Sequence, residues 1–231
     1  MSDSYTISVG LEEGADGAFL VHSLSPPGCV AGGATREEAL ASFEGELHTW
    51  LEDLVALGER LPAADAELQI TVDDWVRTDA NVEAGESTAC FEEDLRPLDA
   101  AEIQAGLQRL GDLRGLLLTR IRRIPDAELD RAFGDGWTVR RTLDELARAQ
   151  WWTLSRLGAS PLAEIPVRTL ARLDTAMALV VQQFTREVPK DPGRALELEG
   201  EVWTPRKVMR RLLWLEWTLG RVARAALTLT E

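Results

Sequence analysis

The spacing of apolar residues changes once along the chain, and that change limits the fold more than any single motif. Tyr5, Ile7, Val9 and Leu11 alternate with Thr6, Ser8 and Gly10, the period of a strand with one buried face. Gly14-Ala15-Asp16-Gly17 predicts a turn into a second strand over 18–23, and Leu68-Gln69-Ile70-Thr71-Val72, continued by Trp75-Val76, predicts a further strand. Between them, Thr35-Arg36-Glu37-Glu38 predicts a helix start, because the Thr35 hydroxyl and the Glu38 carboxylate can each accept the other's backbone N–H. Leu40, Phe43, Leu47, Trp50, Leu51, Leu54 and Leu57 then recur at three-and-four spacing until Gly58 and Pro62. After Leu98 only helical spacing remains, over 101–124, 139–157, 167–188 and 205–227, with breaks at Pro125, Gly134 to Gly136, Gly158, Pro161 and 189–200. The expected fold class is α+β: a small N-terminal antiparallel sheet with one helix over 1–78, an acidic linker or hairpin over 79–98, and an all-α four-helix bundle over 99–231.

An internal repeat supports the bundle. Trp137-Thr138-Val139-Arg140-Arg141 recurs as Trp203-Thr204-Pro205-Arg206-Lys207, and Trp152-Thr153-Leu154-Ser155-Arg156 recurs as Trp217-Thr218-Leu219-Gly220-Arg221. Thr138 and Thr204 suit the N-cap and Pro205 the first helical position, so the second and fourth helices start alike, each with a Trp placed to pack across the bundle end.

Charge divides the chain at the same place. The net charge of −14 conceals 22 acidic residues against 4 Arg in 1–99, and 17 acidic against 21 basic in 100–231. Such an acidic total argues against nucleic acid and anionic membranes as partners, and the split suggests docking between the halves or a basic protein partner for the acidic one. The last helix carries Arg206, Lys207, Arg210, Arg211, Arg221 and Arg224, expected as solvated charge or a docking face. No apolar run approaches the roughly 20 residues of a membrane span, and the start of the chain lacks a signal-peptide pattern. With only Cys29 and Cys90, both expected as reduced thiols, a cytoplasmic location is expected. No phosphate-cradling glycine loop or nucleotide fingerprint is present, so no cofactor is expected.

The segment Pro27-Gly28-Cys29-Val30-Ala31-Gly32-Gly33-Ala34-Thr35-Arg36-Glu37-Glu38-Ala39-Leu40, following a hairpin, resembles the signature of HicB-like domains over about residues 4–76. That resemblance implies a truncated ribonuclease-H-like fold of three strands, a helix and a fourth strand. It also implies an antitoxin-like role against a small basic toxin ribonuclease, although the DNA-binding module that many such proteins carry is missing. Residues 100–228 resemble the DinB/YfiT-like bundles, whose hallmarks are the two Trp-Thr helix starts. That family includes thiol-using, metal-dependent transferases in which three histidines hold a divalent metal. Aligned on its own tryptophans, this chain has Glu145 at the first ligand position and Leu215 and Leu219 at the other two. Its only histidines, His22 and His48, lie in the other half, His22 as an isolated strand residue.

The expectation is therefore a degenerate bundle without metal, and a binding protein in preference to an enzyme. Glu145, Trp151, Trp152, Leu215, Glu216 and Leu219 form the candidate bundle pocket, with a small apolar or aromatic molecule as ligand. The bland alternatives are core packing for the tryptophans and an ion pair with Arg141 or Arg148 for Glu145. Glu216 has Arg210, Arg211 and Arg221 near it in sequence. A metal-dependent transferase, an antitoxin-like protein and a homodimer through the bundle remain the competing readings.

Overall fold

A computed structural model describes residues 4–59, 67–133, 136–159 and 164–228; the expected breakers Pro62, Gly134 and Pro161 lie outside them. The chain divides into two compact units, Met1–Arg96 with Glu197–Val202, and Pro97–Leu196 with Trp203–Glu231.

In the first unit, β1 (Ser4–Glu13), β2 (Phe19–Ser25) and β3 (Pro27–Gly33) form an antiparallel meander, followed by α1 (Arg36–Ala56) and β4 (Glu67–Arg77). The sheet order is β3-β2-β1-β4. It is mixed, which corrects the expected antiparallel sheet: β4 pairs parallel with β1, from Ser4 opposite Glu67 to Glu13 opposite Arg77. The reason is connectivity, because a parallel neighbour requires a long crossover and the 21-residue α1 supplies it. The helix begins at the expected cap, with the Thr35 side chain accepting from the Glu38 N–H. The Glu38 carboxylate accepts from Ala34 N–H, one residue beyond a capping box. Ala39, Phe43, Leu47, Trp50 and Leu54 are the buried face of α1, and Ile7, Val9, Leu11 and Val21 are buried on the sheet. Gly33 ends β3 where a Cβ would lie 2.4 Å from the backbone nitrogen of Ala39, so the first turn of α1 can approach the strand only over a glycine.

The acidic segment 79–98 contains no strand and one 3₁₀ turn, Glu93–Leu95. Up to Arg96 it belongs to the first unit, where Ala80 and Val82 pack with Ala18 and Leu20, and Ala89 and Phe91 with Leu24. The Phe91 ring occupies the place where Gly10 would carry a Cβ, beside the register shift of β1 between Val9 and Gly10.

The second unit contains α2 (Ala100–Ile121), the two-residue strands β5 (Ala132–Phe133) and β6 (Trp137–Thr138), α3 (Val139–Ser155) and α4 (Thr169–Gln182). The strands β7 (Leu196–Leu198) and β8 (Glu201–Trp203), whose residues 197–202 group with the first unit, come next in the chain, and α5 (Pro205–Thr228) completes the second unit. The helix α4 continues as one π-helical turn, Gln183–Glu187, and ends in a 3₁₀ turn, Val188–Lys190, that contains Pro189. A reciprocal capping box of Asp99 and Glu102 opens α2. Thr138 and Thr204 cap α3 and α5 by accepting from the N–H groups of Arg141 and Lys207. Each Trp-Thr start also closes a short two-stranded ribbon, β5-β6 or β7-β8, which the sequence pattern does not announce. Their strands are two or three residues long, too short for alternation to show. In the bundle α5 packs on α2 and α3, and α3 on α4. Leu117, Ile121, Leu143, Leu146, Leu173, Ala176 and Ala223 lie at its core. Among the described residues no helix is long and apolar enough to cross a membrane.

Candidate functional site

On α3, residues spaced three and four apart share one face, and Arg141, Asp144, Glu145, Arg148 and Trp151 do so. Opposite them stand Ile165 and Pro166, ahead of α4, and Arg172 and Ala176 on it. Together these residues line a cavity of about 420 Å3. Trp151, Ile165, Pro166, Ala147 and Ala176 give it apolar walls, and five charged side chains surround them. Arg148 holds Glu145 with both Nε and Nη2, at 3.0 and 2.5 Å. That hydrogen bond, joined by the charge of Glu145, raises the pKa of Arg148. Arg172 lies 3.1 Å from Asp144 Oδ1, and its Nε and Nη2 donate to the carbonyls of Pro166 and Val167. Arg141 rests on the Trp137 ring, 4.4 Å from its centroid.

The centre of the bundle is polar. Arg114, on the apolar stripe of α2 between Leu110 and Leu117, donates from Nε and Nη2 to the two oxygens of Glu216, at 2.7 and 2.8 Å. Its Nη2 also reaches Gln150 Oε1 at 2.9 Å and its Nη1 the Leu173 carbonyl at 2.9 Å, while Gln150 Nε2 donates to Glu216 at 2.6 Å. All three side chains are buried, and the network ties α2, α3, α4 and α5 together. Gln150 and Glu216 each stand twelve residues after their cap threonine, so they are equivalent positions of the repeat meeting across the helix pair.

A second buried polar cluster lies in the first unit. Glu12, fully buried, accepts from His22 Nε2, Ser87 Oγ, Thr78 Oγ1 and the N–H groups of Thr88 and Ala89, at 2.6 to 3.1 Å. Burial alone would raise its pKa, but the hydrogen bond and charge of His22, with the donors of Ser87 and Thr88, bring it down to about 2. His22, expected as isolated, is thus a fully buried partner of Glu12, with its ring tilted against Phe91. The donors Ser87, Thr88 and Ala89 come from the segment 79–96, so sequence distance hid the cluster.

The six residues expected around one pocket are placed in four surroundings. Glu145 and Trp151 line the α3–α4 cavity. Trp152 is 41% exposed and turns to Trp203, edge to face at 5.4 Å, with the Arg156 and Arg211 guanidiniums over its ring. Leu215 and Leu219 pack on the apolar core, and Glu216 is held by Arg114 instead of by an arginine of its own helix. Helix geometry is the cause, since consecutive residues such as Trp151 and Trp152, or Leu215 and Glu216, diverge in direction. The basic residues of α5 are likewise divided: Lys207 and Arg210 are buried, and Lys207 lies 4.7 Å from the Trp203 ring centre. Arg114, Gln150, Asp144 and Arg172 were not singled out by sequence reasoning, although an arginine within the apolar stripe of α2 was a readable signal.

The divalent metal that the DinB-like resemblance implies does not fit the residues at its ligand positions. Leu215 and Leu219 offer no donor atoms, and the Glu145 carboxylate is engaged by Arg148. Among the described residues, no three of His, Cys, Asp or Glu stand together as a metal site.

UPF0150 protein Ta0767 of Thermoplasma acidophilum is 34% identical to this chain over 68 residues, which span 94% of that protein and 29% of this one. The chain belongs to the UPF0150 family. The UPF0150 match lies in the N-terminal part and agrees with the HicB-like signature read there. No protein-family profile matches the chain. The crystal structure of TT2238, a four-helix bundle protein, aligns with a TM-score of 0.41 at 22% identity, covering 53% of this chain and 98% of that one.

Proposed function

We propose that this UPF0150 protein is a cytoplasmic, non-catalytic binding protein with a degenerate DinB-like bundle, and that a small apolar or aromatic molecule binds between α3 and α4. The carrying observation is the cavity of about 420 Å3 walled by Trp151, Ile165 and Pro166, a size and composition typical of ligand sites. Cys29 and Cys90, both present as thiols and not joined in a disulfide, fit a reducing compartment. Indole titrated into the full-length protein by calorimetry is expected to bind, and Trp151→Ala to weaken it by about tenfold or more through loss of the aromatic wall. Absence of binding by the unaltered protein would sink the reading.

UPF0150 membership and the acidic surplus of residues 1–99 support a second reading, an antitoxin-like protein whose partner is a small basic toxin ribonuclease. It predicts a gene for such a protein beside this one, whose ribonuclease activity is suppressed on mixing with the purified full-length chain. Undiminished cleavage in the mixture would count against this role.

A further inference from the structure

We infer that the α3–α4 cavity selects a small aromatic monocarboxylate, an inference that rests on the ligand-binding reading above. The charges at the cavity are unequal. Three guanidiniums, of Arg141, Arg148 and Arg172, face two carboxylates, of Asp144 and Glu145. The pairs Arg148–Glu145 and Arg172–Asp144 account for both carboxylates. Arg141 is left with its guanidinium against Trp137, and among the described residues no carboxylate pairs with it. A bound cation would meet one unit of surplus positive charge, and a neutral molecule would leave that charge to water. A carboxylate instead matches the planar fork of a guanidinium and can take two parallel hydrogen bonds from it.

The shape of the site adds the second half of the ligand. Arg141 and Trp151 lie ten residues apart on the same face of α3, about 15 Å along the axis at 1.5 Å per residue. The charged end and the aromatic end are therefore separate, with the apolar side chains of Ala147, Pro166 and Ala176 also on the lining. This arrangement calls for a molecule with its charge at one end and a flat apolar body at the other, small enough for about 420 Å3.

Calorimetric titration of the full-length protein with indole-3-acetate, indole-3-acetamide and tryptamine varies the charge at nearly constant shape. Indole-3-acetate is expected to bind at least about tenfold more tightly than the amide, as a charge-assisted hydrogen-bonded pair should, and tryptamine more weakly than either. In Arg141→Gln, with the fold checked by circular dichroism, the preference for indole-3-acetate over the amide should disappear. Equal affinities for acid and amide would overturn the charge selection and leave the cavity reading standing. An acid preference that survives in Arg141→Gln would overturn the role of Arg141. Failure of all three compounds to bind would overturn the cavity reading and this inference with it.

Discussion

Arg114→Ala is expected to destabilise the chain by about 3–5 kcal/mol, because it strands a buried carboxylate without its counter-ion. Glu216 would lose two of its three hydrogen bonds, keeping only that from Gln150, and the Leu173 carbonyl would lose a donor. The side chains involved are nearly inaccessible, 5% for Arg114 and 0% for Glu216, so water cannot replace what is removed. Chemical denaturation followed by circular dichroism is the measurement, and a loss below about 1 kcal/mol would show that the network contributes little beyond its desolvation cost. The triple variant Arg114→Met, Gln150→Leu, Glu216→Met removes the whole network. It should recover most of the loss, since a fully apolar centre of similar volume is neutral or better by about 1–4 kcal/mol in comparable cases.

The second large effect is pH-dependent and belongs to Glu12. Its carboxyl sits near 2 in the folded chain against an ordinary 4.5. The folded form thus holds the proton less strongly than the unfolded form, and ionised Glu12 stabilises the fold. That contribution, roughly 3 kcal/mol, is complete above about pH 4.5 and disappears as pH falls through the folded-state value. About 2 kcal/mol of it is already gone at pH 3. Glu12→Gln cannot ionise and should lose a comparable amount at pH 7, with its deficit against the unaltered protein shrinking as the pH is lowered from 4.5. Urea unfolding at pH 7, 4.5 and 3 for both proteins is the comparison; a deficit constant across that range would overturn the assignment to Glu12.

These two clusters also mark where sequence reasoning stops. The alternation of Tyr5 to Leu11, the cap at Thr35 and the paired starts at Thr138 and Thr204 are local signals, and the strands and helices follow them closely. Parallel pairing of β4 with β1 is a property of the crossover and has no mark within β4 itself. Glu145 showed its partner Arg148 three residues away, whereas Glu216 is paired with Arg114, 102 positions earlier on another helix. The arginines near Glu216 in sequence therefore pointed to the wrong neighbour. Trp151 was legible as a candidate wall of a site, but its separation from Trp152 depends on helix phase, and the opposite wall depends on where α4 begins.

Equivalent positions of a repeat that meet face to face would, if the halves were identical, oppose each side chain to its own kind. Two glutamates in the place of Gln150 and Glu216 would repel each other, and two glutamines would leave the guanidinium of Arg114 without a negative charge. One amide and one carboxylate, nearly the same in outline, fit a single arginine. The heart of the bundle thus breaks its own symmetry through the exchange of an amide nitrogen for an oxygen, and neither half can be converted to the other's sequence at that step without leaving the central charge unbalanced.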